Sequence, residues 1–300
     1  KKKEIFYTMI SVVGIDGLYP TIKIIKFSKN IAITNKESLI CGWNLINKEL
    51  KKNKTNFFPV DSEHFSIFSL LANHNVEDLE KIYITASGGP FLKHSYSKLL
   101  KVRLKDALKH PNWKMGKKIS IDSSTLMNKL FEVIEAKKIF NISYNKIKIL
   151  VHPHSYVHAI VKFNSGITKL LVHEPDMKIP IHNTLYHYKQ SNIKTNQLNL
   201  KVLNNLDLQL VDLKKFPLIN ILDILPKKNS LFETALICIN DYFVSMFIKK
   251  KINYKQLVNL IDYNAHRRIF LKLRKKEPKN IQEIYKIRNY VYSKLNNSGI

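Results

Sequence analysis

Glycine is scarce in this chain, with 8 residues in 300 against an ordinary share of about 7%. No Gly-x-Gly-x-x-Gly loop occurs, and Gly14-Ile15-Asp16-Gly17 is too short to replace one. The usual glycine cradle for a dinucleotide pyrophosphate is therefore excluded from these residues. The two cysteines, Cys41 and Cys238, lie far apart. They exclude a disulfide framework and a structural zinc site, and point to reduced thiols in a cytosol-like compartment. Arginine is rare: Arg103, Arg267, Arg268, Arg274 and Arg288 are the only five. A surface that reads phosphates favours the arginine fork, so the net charge of +27, spread along the chain as lysine, reads as compositional drift and not as a nucleic-acid face. No apolar run approaches the ~18 residues of a membrane span. Lys1-Lys2-Lys3 followed by apolar 5–15 mimics a signal peptide, but Glu4 interrupts the basic region and no small-residue cleavage site follows before Asp16. A buried strand is the expectation there, with neither membrane nor nucleic acid as partner.

What is present suffices for a large core: 300 residues, 45% of them hydrophobic. β-Branched runs predict strands over 5–13, 30–34 and 56–60, with helices over 18–27 and 40–50 between them. That alternation is the signature of a parallel α/β layer. Further strands are expected over 81–85, 118–121 and 146–151, and a hairpin over 160–163 and 167–172 about Asn164-Ser165-Gly166. Helices are expected from 65, over 96–109, and from a cap at Asp122-Ser123-Ser124 through Phe140. Residues 187–215 are polar and irregular and read as a linker. From 216 the chain is helical, with a capping box at Ser230 and Glu233.

The chemistry centres on Phe58-Pro59-Val60-Asp61-Ser62-Glu63-His64. In an extended segment Asp61 and Glu63 would face the same side, a hard-cation arrangement, and Ser62 and His64 could bond a hydroxylated substrate. A plain polar loop after a strand fits the same residues. Asn128, Glu132 and Glu135 share one helix face, so Glu132 can bring a third carboxylate; solvated helix charges are the alternative. Ser87-Gly88-Gly89-Pro90 is either an anion-binding turn or a simple one. His110-Pro111-Asn112-Trp113-Lys114-Met115-Gly116 is either a flap over a ligand or a core plug. His152, His154 and His158 lack the spacing of a zinc site.

In this order, Asn35-Lys36-Glu37-Ser38, Pro59 to His64, Ser87 to Phe91, His110 to Gly116, Asp122 to Glu132, His152-Pro153, His158 and Glu174-Pro175-Asp176-Met177 resemble 1-deoxy-D-xylulose 5-phosphate reductoisomerase of the non-mevalonate isoprenoid pathway. The likeness is dense over 12–181 and traceable to the end through Phe216-Pro217 and Asn240-Asp241. It implies an NADPH- and Mg²⁺- or Mn²⁺-dependent oxidoreductase and isomerase that forms 2-C-methyl-D-erythritol 4-phosphate, acting as a homodimer in a bacterial or symbiont-like cytoplasm or a plastid. By the resemblance, Asp61, Glu63 and Glu132 hold the metal, and Lys36, Glu63 and His110 are catalytic. Ser62, Ser87, His110, Ser123, Asn128, Lys129 and Glu132 bind the sugar phosphate, and Asn35, Lys36, Glu37, Met115, Gly116 and Met177 meet the cofactor. His110 and Trp113 match the closing loop.

The implied fold is α/β: a partial dinucleotide-binding domain over 1–60, an α+β catalytic domain over 61–186, a linker over 187–215 and a helical domain over 216–300. The departures are the glycine-rich loop, which reads as an N-terminally incomplete or altered cofactor half, Leu130 where the family has glycine, His154 for glutamine, and His173 for a small residue. A non-catalytic remnant binding metal and sugar phosphate is the competing reading, and a basic nucleic-acid binder a third.

Overall fold

A computed structural model describes residues 4–99, 101–187 and 191–297. The expectations for Lys1 to Lys3, for Leu100 and for residues 188–190 of the linker lie outside them. In chain order the strands are β1 (Ile5–Ile10), β2 (Ser28–Ile33), β3 (Asn56–Pro59), β4 (Leu79–Ala86), β5 (Ile147–Val151), β6 (Val157–Phe163), β7 (Thr168–Val172) and β8 (Gln209–Leu210). The longer helices are α1 (Leu18–Ile25), α2 (Lys36–Asn53), α3 (Ser62–Leu70), α4 (Lys117–Ser124), α5 (Met127–Phe140), α6 (Lys178–Leu185), α7 (Leu231–Ile248), α8 (Tyr254–Ala265) and α9 (Ile281–Asn296). The chain is α/β, and it forms two compact units: Lys1–Leu39, Ile46–Ser87 and Glu132–Val211 in the first, Ile40–Leu45, Gly88–Phe131 and Asp212–Ile300 in the second.

The first unit holds both sheets. β1, β2 and β3 form a parallel sheet in that order, joined by helical crossovers as parallel strands require. β2 is central and nearly all buried. β1, expected to be buried, is an edge strand with Ile5 and Phe6 exposed. The second sheet is mixed, in the order β7-β6-β4-β5-β8, with β4 parallel to β5 and antiparallel to β6. The expected hairpin is β6–β7, turning at Gly166 with φ of 87°. Helix α3 packs on β6 and β7, and Ala32, Phe58 and Val60 form a core cluster joined by Tyr7, Met9, Phe68, Met177 and Ile181.

The second unit is mainly helical. α7 packs against α8, α9 and α4. Its N-terminus is closed by the expected box: Ser230 N–H donates to Glu233 Oε2 at 2.7 Å and Phe232 N–H to Ser230 Oγ at 3.2 Å. Contrary to expectation, α7 is long and apolar enough to cross a membrane by length and composition, the one such helix among the described residues. It is 72% buried inside the molecule, as a core helix is.

Two segments differ from expectation here. Residues 118–121 are not a strand but part of α4, and Asp122-Ser123-Ser124 end that helix instead of capping the next. The Ile119-Ser120-Ile121 alternation imitates a strand, but Lys118 bonds Asp122 one turn on at 3.1 Å, and Asn240 Nδ2 donates to Asp122 Oδ1 at 2.8 Å. After Leu126, in the left-handed region with φ of 59°, α5 begins. The helix expected over 96–109 is two single turns, Tyr96–Leu99 and Leu104–Ala107, with Arg103 extended before the second.

Candidate metal centre

Asp61 ends the segment after β3 and serves as the N-cap of α3 without spending its carboxylate on the cap. Glu63 therefore lies in the first turn of a helix. Its approach to Asp61 comes from helical winding, not from the strand alternation that the sequence suggested. Glu132 arrives from α5. One carboxylate oxygen from each of Asp61, Glu63 and Glu132 lies within 4.8 Å of the others. Glu132 is 1% exposed, which removes the alternative of a solvated helix charge.

Lys36, at the start of α2, is the counter-charge. Its Nζ lies 3.0 Å from Asp61 Oδ2 and 3.6 Å from Glu132 Oε1. Burial opposes its charge, but Asp61, Glu132 and Glu135 outweigh that and hold the ammonium well above the usual lysine range. Ser62 Oγ donates to Glu63 Oε2 at 2.6 Å. The donor set is all oxygen, and octahedral Mg²⁺ with ligands at about 2.1 Å spaces them roughly 3 to 4 Å apart, so this cluster fits one hard divalent ion.

His64, expected to face a substrate hydroxyl, does not. It is fully buried, and its Nε2 bonds the backbone carbonyl of Glu132 at 2.9 Å. Its Nδ1 faces Glu135 Oε1 at 3.7 Å. Sequence reasoning missed this second pair; the signal available was Glu135 three residues after Glu132, on the same side of a helix.

The residues assigned to a cofactor divide. Asn35 caps α2 by accepting from Ser38 N–H at 2.7 Å, and its Nδ2 donates to Gly14 O at 2.8 Å and to Val12 O. That side chain thus ties the β1–α1 loop to the end of β2. Lys36 turns to the carboxylates, Glu37 is buried, and Met177 packs on the Phe58 cluster. Asn35, Lys36 and Glu37 nonetheless stand at the carboxyl end of a parallel strand, where such sheets take their ligands. Met115 and Gly116 precede α4 in the second unit, where a Cβ at Gly116 would meet open space.

Of the sugar-phosphate residues, Ser62 and Glu132 lie at the carboxylate cluster and Ser87 is the last residue of the first unit's Ile46–Ser87 segment. Ser123, Asn128, Lys129 and His110 belong to the second. Ser123 is in the last turn of α4, and Asn128 and Lys129 are in the first turn of α5. Gly89, with φ of 64°, packs so closely that a Cβ would stand 2.7 Å from the Ser123 carbonyl, which explains one glycine of the pair. His110 Nδ1 accepts from Asn112 N–H at 3.2 Å and Trp113 N–H at 2.9 Å. Burial and the nearby Lys129 ammonium push His110 down to about 4, so it is neutral near pH 7 with its proton on Nε2. Trp113 is half-buried, not a core plug. Leu130 is fully buried, and His173 stacks on His158 with ring centroids 3.7 Å apart.

An α/β fold with three carboxylates converging beside a buried lysine carries the donor set of a divalent-cation site. Family models narrow this: 1-deoxy-D-xylulose 5-phosphate reductoisomerase matches over residues 1–42, its C-terminal domain over 57–140, and the DXP reductoisomerase C-terminal domain over 172–293. The 1-deoxy-D-xylulose 5-phosphate reductoisomerase of Pelagibacter ubique is 52% identical over 297 residues, 99% of this chain and 76% of that one. That of Clostridium novyi is 37% identical over 98% of this chain and 76% of its own. The Zymomonas mobilis enzyme solved in complex with NADPH superposes with a TM-score of 0.85 at 30% identity, over 98% of this chain and 76% of that one. A reductoisomerase solved with NADPH, fosmidomycin and magnesium gives 0.87 at 28%, over 98% and 77%. The chain belongs to the 1-deoxy-D-xylulose 5-phosphate reductoisomerase family.

Proposed function

We infer that this chain converts 1-deoxy-D-xylulose 5-phosphate to 2-C-methyl-D-erythritol 4-phosphate, using NADPH and a divalent metal, in non-mevalonate isoprenoid biosynthesis. The observation that carries the reading is the convergence of Asp61, Glu63 and Glu132 in a member of this family. These three would hold Mg²⁺ or Mn²⁺, which when bound supplies Lewis-acid polarisation of adjacent substrate oxygens. Lys36 would move from counter-ion to substrate, its ammonium kept charged by the carboxylates around it. Ser62 would orient a substrate hydroxyl. Ser87, Ser123, Asn128 and Lys129 would hold the phosphate, so that binding energy from a non-reacting group serves orientation. His110 organises the loop carrying Trp113, which would exclude water from a reactive aldehyde. Met115, Gly116 and Met177 would lie at the nicotinamide, and Asn35, Lys36 and Glu37 would also meet the cofactor.

The proposal includes a homodimer and a reduced, cytoplasm-like setting without nucleic-acid or membrane partners; the buried thiols of Cys41 and Cys238, neither in a disulfide, support the reduced setting. The test is NADPH consumption by the 300-residue chain with 1-deoxy-D-xylulose 5-phosphate and Mg²⁺ or Mn²⁺. Metal-dependent turnover that disappears in Asp61→Asn is expected. Metal and sugar-phosphate binding without oxidation of NADPH would instead identify a non-catalytic remnant.

A further inference from the structure

Glu135 is unused by the three-carboxylate set. It lies one turn beyond Glu132 on α5, is 2% exposed, and its Oε2 has no hydrogen-bond partner among the described residues. A buried carboxylate left this poorly paired is costly to the fold. Among the described residues, the cationic or cation-forming groups that act on it are His64 and Lys36; Asp61 and Glu132 add like charge. Burial raises its carboxyl above the ordinary glutamate range, and His64 opposes the rise.

The His64 ring has two polar atoms. A backbone carbonyl only accepts, so the contact between Nε2 and Glu132 O at 2.9 Å requires the proton on Nε2. Nδ1 then faces Glu135 Oε1 at 3.7 Å, beyond hydrogen-bond reach, and has no hydrogen-bond partner among the described residues. The ring thus spans from the residue after Glu63 to the backbone of Glu132. It joins the helix turn that carries two of the carboxylates to the turn that carries the third.

We propose that His64 and Glu135 are positioning residues: Glu135 fixes the orientation of the His64 ring, and the ring holds the Glu132 turn of α5 at the spacing from Asp61 and Glu63 that one cation needs. This rests on the reading of Asp61, Glu63 and Glu132 as metal ligands. Groups that orient ligands in this way typically contribute 10- to 100-fold to metal affinity.

The test is Mn²⁺ binding to the metal-free full chain, read from the electron paramagnetic resonance of free Mn²⁺, together with the melting temperature. Wild type should bind one ion. Glu135→Gln keeps a group that can bond Nδ1 and should stay within about 3-fold, whereas Glu135→Leu should weaken binding about 10-fold or more. If the leucine variant does not fold, two isosteric variants carry the test. The side-chain amide of His64→Gln falls near Nε2 and keeps the bond to Glu132, while that of His64→Asn falls near Nδ1 and loses it. Glutamine should retain Mn²⁺ affinity within about 3-fold and asparagine should lose about 10-fold at a similar melting temperature. Wild-type affinity in a folded Glu135→Leu, equal affinities in the two His64 variants, or a second ion bound through His64 and Glu135 would overturn the proposal. Asp61→Asn reports separately: if it binds Mn²⁺ like wild type, the ligand set itself is wrong.

Discussion

Lys36 is the counter-charge of both Asp61 and the buried Glu132. Removing it leaves Asp61 and the buried Glu132 facing each other without compensation, and breaking a buried pair from one side typically costs about 3 to 5 kcal/mol. Lys36→Met is therefore expected to destabilise the metal-free protein by about 3 kcal/mol in urea unfolding. Saturating Mg²⁺ should recover part of that loss, because a divalent ion meets the same carboxylates. A loss that Mg²⁺ does not touch would separate the lysine from the cation site. His110 gives a pH signature. Folded, it is held down to about 4, against about 6.5 in an unfolded chain, so the unfolded state takes up protons first. Its contribution is complete above about 6.5 and is lost as pH falls towards about 4. In urea midpoints, the stability of wild type relative to His110→Gln should decline through that window, and a constant difference would contradict the neutral imidazole.

At the scale of elements, β2 and β4 were legible because their β-branched runs coincide with real burial, whereas β1 was found as a strand but lies exposed at a sheet edge. That β1 to β3 form a parallel layer followed from the strand–helix alternation; their order came from the structure. Reading failed where a local pattern had two solutions. Ile119 and Ile121 alternate with polar residues as in a strand, and only the Lys118–Asp122 bond and the docking of Asp122 on Asn240 of α7 select the helix. Asp61 and Glu63 were paired through the wrong geometry, since α3 begins at Ser62, three residues earlier than periodicity indicated. The partnership of His64 with Glu132 spans 68 residues, and no local signal encodes a contact of that range. The Gly88-Gly89 turn was legible as an exception in a glycine-poor chain, and the structure gives it a steric cause. Gly89→Ala combines a positive φ, costing roughly 1 to 2 kcal/mol for an L-residue, with a 2.7 Å clash against the Ser123 carbonyl. Gly166→Ala has the positive φ but nothing within 4 Å. Gly89→Ala should therefore lower the urea midpoint well beyond Gly166→Ala, and equal losses would show that the close approach to α4 has no energetic weight.

At the scale of the whole molecule, a net charge of +27 repels itself, and added salt screens that repulsion, with a Debye length of about 8 Å at physiological ionic strength. KCl should accordingly raise the melting temperature, with the steepest rise below about 0.15 M, where the screening length shortens fastest. This general effect must be separated from specific binding, because MgCl₂ acts in both ways. At matched ionic strength the screening is common to the two salts, and only Mg²⁺ can also replace Lys36 among Asp61, Glu63 and Glu132. A ligand that binds the native state alone at 100 times its dissociation constant stabilises by about 2.7 kcal/mol. MgCl₂ should thus raise the melting temperature more than KCl does in wild type, and the excess should vanish in Asp61→Asn while the response to KCl persists. Identical curves for the two salts in wild type would mean that the carboxylates repel one another without binding a cation. An excess that survives in Asp61→Asn would place the bound Mg²⁺ elsewhere on the chain.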